Sequence, residues 1–160
     1  MPTRQQIVPN PKVDSVGFLI DAQASAAARE GRVITQEQFL KMAAEEGTIV
    51  LDARSADKFA MLHVVGAKNL PFTDFTQDSL AQLIPKKEAR VLIYCNNNFD
   101  NAPVAMPAKS VRAALNLSTL VSLRSYGYLN VYELGGYIDV NKSALPLEGT
   151  EAPMKTVPTK

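Results

Sequence analysis

The feature that most constrains this chain is residues 90–101, an apolar strand that runs into the single cysteine and then into an asparagine-rich stretch. Val91-Leu92-Ile93-Tyr94 is short, apolar and partly β-branched, the composition of a strand buried on both faces of a parallel sheet. Cys95 follows at once. Asn96-Asn97-Asn98-Phe99-Asp100-Asn101 then reads as a loop, because asparagine and aspartate tolerate left-handed backbone and bond to their own main chain. Open α/β sheets bind ligands beyond the carboxyl ends of their strands. A thiol mounted there stands where a nucleophile would.

The pattern on either side supplies the other elements. Residues 13–29 predict a helix with an apolar stripe through Val16, Leu19, Ile20 and the alanines, stopped by Gly31. Thr35 and Gln38 have capping-box spacing and open a helix over 36–46, with Phe39, Leu40 and Ala43 turned inward. Residues 48–52 read as a second buried strand, 55–61 as a short helix capped by Ser55, and 78–84 as a helix that Pro85 terminates. Beyond Pro103 and Pro107 a longer helix is expected over residues 110–125, then a strand over 130–134 and the turn Gly135-Gly136. Alternating strands and helices predict one α/β domain over residues 35–140, a parallel sheet flanked by helices on both faces. Residues 1–34 form an N-terminal extension with one helix. Residues 141–160 form a proline-rich tail, either wrapped on the surface or disordered.

Composition narrows the function. At 160 residues, 46% hydrophobic and 21% charged, the chain has room for one globular core. Seventeen Lys+Arg stand against sixteen Asp+Glu with no basic block, so a nucleic-acid surface has no support. No apolar run approaches the roughly 18 residues of a membrane span. One cysteine excludes an internal disulfide framework, and with one histidine, His63, it argues against a zinc centre. No metal or organic cofactor is expected. The first eleven residues are polar and proline-containing with no apolar core of a signal peptide; a cytoplasmic chain and a mature chain whose signal has been removed both fit.

Four stretches then fall into a recognisable order. They are Val50-Leu51-Asp52-Ala53-Arg54 at a strand end, His63-Val64-Val65-Gly66-Ala67-Lys68-Asn69-Leu70-Pro71, the strand ending in Tyr94-Cys95, and Tyr126-Gly127-Tyr128-Leu129-Asn130-Val131 followed by Leu134-Gly135-Gly136. Together, over about residues 35–137, they resemble the rhodanese family, the thiosulfate and persulfide sulfurtransferases. The resemblance implies a rhodanese-like sheet and makes Cys95 the sulfur-carrying nucleophile. It implies architectural roles for Asp52 and Arg54, tying a strand end to nearby backbone, and a hydrogen-bonding role beneath the fold for His63. The loop departs from the family pattern. It has no glycine and no basic residue through Asn101, and two prolines separate it from the next helix, as an insertion would. The related phosphatase pattern Cys-x5-Arg fails, since the sixth residue after Cys95 is Asn101. The extension and the Cys-Asn-Asn-Asn loop also resemble a subgroup of exported bacterial members, which points to the periplasm and leaves the cytoplasm open.

A free thiol with a pKa of ~8.5 is mostly protonated at neutral pH, and converging backbone amides with a helix N-terminus stabilise the anion. The opposite reading is a buried structural cysteine. Asn96, Asn97, Asn98 and Asn101 either donate to a thiosulfate-like group or satisfy the loop itself. Phe99 either lids the pocket or anchors the loop, and Asp100 opposes a strongly anionic substrate. Lys109, Arg112 and Arg124 are the cations that could replace the missing loop arginine, or they are solvated helix faces. Two functions follow. In one, Cys95 takes sulfane sulfur from a small donor and passes it to a thiol or cyanide acceptor. In the other, the domain is a binding or sensing module for a protein partner, with Cys95 structural or redox-responsive.

Overall fold

Parallel strands need a crossover, and the chain supplies helices for the returns. The computed structural model describes residues 6–154. Helix α1 (Ser15–Arg29) leads to β1 (Val33–Ile34), and α2 (Gln36–Ala43) leads to β2 (Ile49–Asp52). Next come α3 (Ala56–Met61), β3 (His63–Val64), β4 (Lys68–Asn69), α4 (Gln77–Leu83) and β5 (Val91–Tyr94). The chain continues through β6 (Phe99–Asp100), α5 (Leu115–Ser125), β7 (Val131–Leu134), β8 (Ile138–Asp139) and β9 (Leu147–Glu148). Five strands form one parallel sheet in the order β1-β7-β5-β2-β4. β5 lies at its centre, beside β2 with Tyr94 opposite Asp52 and beside β7 with Ile93 opposite Glu133. The chain leaves β2 toward one edge and β5 toward the other, which makes the carboxyl end of β5 the switch point.

Successive strand residues point to opposite faces. Leu92 and Tyr94 join Phe39, Leu62 and Leu134 in one core layer, while Val91 and Ile93 join Leu80, Ile84, Leu120 and Leu123 in the other. Cys95 continues the second series. On β7, Glu133 follows Val131 in the same series, so thiol and carboxylate share the α5 side of the sheet.

Several local signals act as their chemistry requires. Thr35 and Gln38 form the reciprocal capping box, Ser55 caps α3 through the Lys58 amide, and Val91–Tyr94 are all buried. Three expectations are corrected. The helix read over 110–125 begins at Leu115, after a 3₁₀ turn over Val111–Ala113 and an extended Ala114. The polar stretch after Cys95 is a 3₁₀ turn, Asn96–Asn98, followed by β6, which pairs in parallel with β8. The apolar stripe of α1 faces outward: Val16, Leu19 and Ile20 are each more than 60% exposed. What docks α1 is the opposite face, where Ser25 is buried, Gly17, Ala22 and Ala28 are half-buried, Asp21 accepts from the Ser125 hydroxyl and Arg29 meets Glu133.

Of the tail read over 141–160, residues 141–154 pack against the domain, with Leu145 buried and β9 antiparallel to β3. Residues 155–160, and residues 1–5 of the extension, lie outside the described residues. Among the described residues, no helix is long and apolar enough to cross a membrane, and no cluster of three His, Cys, Asp or Glu side chains could hold a metal ion.

Candidate active site

A helix leaves its first amides without internal acceptors. In α5 the residue before the helix, Ala114, provides no side-chain cap. Cys95 stands before that helix end, and the backbone amides of Leu115 and Asn116, with that of Asn97 from the 3₁₀ turn, act on its thiol to favour the anion. These dipoles favour an anion on sulfur. Burial opposes them. Cys95 is 2% exposed, and desolvation, the largest influence, pushes its pKa above the ordinary thiol value; the amides pull it down and Glu133 pushes it further up. At this sulfur burial outweighs the amides.

The asparagines divide the work of holding this cradle of amides. Asn97 exchanges two hydrogen bonds with the Lys109 backbone, at 2.7 and 2.9 Å, pinning the end of the insertion to the loop. Asn98 accepts from the Cys95 amide at 3.0 Å and donates to the carbonyls of Leu134 and Gly136 at 2.9 and 3.1 Å, tying the loop to the end of β7. Asn96 is different: it is 5% exposed, its Oδ1 is buried with no partner, and it lines a cavity. Asn101 takes the left-handed backbone, φ 63°.

Phe99 and Asp100 turn away from the thiol. Phe99 is 3% exposed and packs edge-on against Tyr94, which makes it a core anchor. Asp100 accepts from the Tyr137 hydroxyl at 3.0 Å on the β8 side. That bond, with the neighbouring charge, raises the Tyr137 pKa.

The cavity beside the loop measures about 370 Å³. Its walls include Phe72, Pro107 and Leu115, and Lys58, Lys109 and Asn96 also line it. Of the three cations read from sequence, Lys109 reaches this cavity, whereas Arg112 is exposed on the 3₁₀ turn and Arg124 occupies the last turn of α5, at the end remote from Cys95. The structure adds Lys58, whose ammonium donates to the Val104 carbonyl at 2.7 Å. Sequence reasoning misses it because only the fold-back of the insertion places α3 opposite Lys109.

Asp52 and Arg54 form a closed, buried pair. The guanidinium donates to both Asp52 oxygens and to the carbonyls of Ala105 and Leu62, and Asp52 also accepts from the Tyr94 hydroxyl. His63 stacks on Phe59 with ring centroids 3.8 Å apart; its Nδ1 lies 2.7 Å from the Phe59 carbonyl and its Nε2 lies 3.0 Å from Glu148. It stands at the β3–β9 ladder.

A parallel α/β sheet with one cysteine at the carboxyl end of its central strand, held by backbone amides at a helix N-terminus, defines the class as a thiol-centred α/β domain. A family model described as Rhodanese-like domain matches residues 35–142, and the chain belongs to that family. No curated protein matches it. The rhodanese-like domain of the Alr3790 protein from Anabaena sp. is 19% identical with a TM-score of 0.52, over 81% of this chain and 86% of that one. The BH2092 protein from Bacillus halodurans is 20% identical with a TM-score of 0.51, over 83% and 88%. Wild-type EanB is 20% identical with a TM-score of 0.55, covering 73% of this chain and 27% of its own. At these identities the likeness carries the fold.

Proposed function

We propose that the protein is a rhodanese-like sulfurtransferase that carries sulfane sulfur as a persulfide on Cys95. The convergence of the Asn97, Leu115 and Asn116 amides on the Cys95 sulfur carries this reading, because it is an arrangement that stabilises a sulfur anion. The donor, for example thiosulfate, enters the cavity lined by Lys58 and Lys109. Cys95 loses its proton to solvent and its thiolate attacks the outer sulfur of the donor. A bond forms between Sγ and that sulfur, the donor's sulfur–sulfur bond breaks, and sulfite leaves with the electron pair. A thiolate or cyanide acceptor then attacks the terminal sulfur, and the Cys95 thiolate leaves with the bonding pair. Covalent catalysis thus splits one transfer into two displacements.

Intact mass spectrometry tests it. Wild type incubated with thiosulfate is expected to gain about 32 Da, reversed by dithiothreitol, and Cys95→Ser to gain nothing. The burial of Cys95 favours a second reading, a binding or sensing module with a structural or redox-responsive cysteine. A wild type that takes no sulfur from thiosulfate or from a small persulfide assigns the protein to that reading.

The cavity lysines give a separate prediction. Replacing Lys58 and Lys109 together by methionine is expected to raise KM for thiosulfate about tenfold with kcat nearly unchanged, the pattern of lost uniform binding. Steady-state kinetics checks it, and an unchanged KM removes both lysines from the donor site.

A further inference from the structure

An acid in the buried series of a strand must be paired or neutralised. Glu133 is 8% exposed and lies on the thiol's side of the sheet. Arg29 of α1 forks its carboxylate, with Nε 2.8 Å from Oε2 and Nη2 3.0 Å from Oε1. Asn116 adds a long contact of 3.4 Å to Oε1 through Nδ2, and the same amide donates to Asn98 Oδ1 at 3.1 Å. Asn98 Oδ1 in turn accepts from the Cys95 amide at 3.0 Å. A continuous line of polar contacts therefore runs from α1 to the backbone of the cysteine. None of its members is consumed by the sulfur-transfer steps, and Arg29 lies outside residues 35–142, the part matched by the family.

We propose that Arg29 is a positioning residue for Cys95: it neutralises Glu133 and braces Asn116 against Asn98, so that the N-terminal helix sets the charge behind the nucleophile. This rests on the reading of Cys95 as a reacting thiol. An unpaired carboxylate beside the cradle opposes the sulfur anion that the amides favour. The other charges do not replace it. Asp52 and Arg54 are closed on each other beside β2, the first turn of α5 and the Asn96–Asn98 turn carry no charge, and Lys58 and Lys109 stand across the cavity. α1 reaches the domain through Arg29–Glu133, through Asp21–Ser125 and through the face on which Ser25 is buried, while its aliphatic stripe faces outward.

The test is the pH profile of Cys95 alkylation by iodoacetamide, a neutral reagent, on the full chain. Arg29→Met is expected to move the midpoint upward and slow alkylation at pH 7 about threefold to tenfold. Glu133→Gln, which leaves Arg29 uncompensated, is expected to move it downward. The double variant returns close to wild type, a reciprocal rescue that a structural role alone does not produce. If Arg29→Met does not fold, Arg29→Lys, which keeps the charge, and Glu133→Gln decide: the first must leave the midpoint near wild type and the second must lower it. Superimposable profiles for wild type, Arg29→Met and Glu133→Gln overturn the proposal, as does a double variant no closer to wild type than either single one. A chain that accepts sulfur from thiosulfate but shows no Arg29 dependence overturns this inference alone. A chain that shows the dependence and takes no sulfur overturns the sulfurtransferase reading alone.

Discussion

Replacing Arg54 by alanine is expected to lower the unfolding free energy by about 3–5 kcal/mol, the range for removing one partner of a buried ion pair. The side chains of Arg54 and Asp52 are 1% and 0% exposed, so the carboxylate depends on the guanidinium for its compensating charge. Its removal leaves the Asp52 carboxylate with the Tyr94 hydroxyl and the backbone amide of residue 54 but no cation, and leaves the Ala105 and Leu62 carbonyls without this donor. The Ala105 bond ties the insertion after Cys95 to the end of β2, and Arg54 itself lines the cavity beside the loop, so the loss reaches that cavity as well as the core. Arg54→Lys is expected to recover only part of the stability, since an ammonium has no planar fork to engage both carboxylate oxygens and two carbonyls. Urea unfolding measures both variants. A loss below about 1 kcal/mol for Arg54→Ala would show that the pair is not the brace its burial indicates.

How far the residues alone reveal this molecule depends on how local each determinant is. Thr35 with Gln38 and Ser55 at its helix start act within one helical turn, and the capping box of the first and the N-cap of the second are formed. Val91–Tyr94 needs only hydrophobic burial on both faces, and it forms the centre of the sheet. The start of α5 is not local. Ser110-Val111-Arg112 can be helical, but the free amides of Leu115 and Asn116 turn to a sulfur twenty residues earlier in the chain. The direction of α1 is not local either: periodicity finds the stripe of Val16, Leu19 and Ile20 but cannot see that Arg29, on the opposite face, will meet a carboxylate on β7. Asn97 and Asn98 look alike in sequence and grip different parts of the chain, the insertion and the β7 end. Glu133 does leave a trace, an acid in the buried alternation after Val131. Its partner could not be named without the strand order.

Alkylation of Cys95 by iodoacetamide is expected to accelerate about tenfold per pH unit from pH 7 and to level off only above the ordinary thiol value of ~8.5, a change on the order of 100-fold between pH 7 and pH 9. The direction follows from the balance at the sulfur. Desolvation is the largest influence and favours the neutral thiol, Glu133 acts in the same direction, and the three amides oppose them without prevailing. The same shift fixes the sign of a stability effect. The unfolded thiol ionises first as pH rises, so the contribution of Cys95 to stability is fully present below about pH 8.5 and is lost as pH climbs through the higher folded value. Wild type is therefore expected to lose stability on the alkaline side relative to its own value at pH 7, and Cys95→Ser to lack that component. A plateau in alkylation rate at or below pH 7 would reverse the balance and mean that the helix terminus and amides outweigh burial. In that case the resting protein would already hold a thiolate. With the plateau above ~8.5, the cradle instead favours charge that arrives with a reaction, and under the proposed sulfur transfer its rate is expected to fall below neutral pH in step with the alkylation profile.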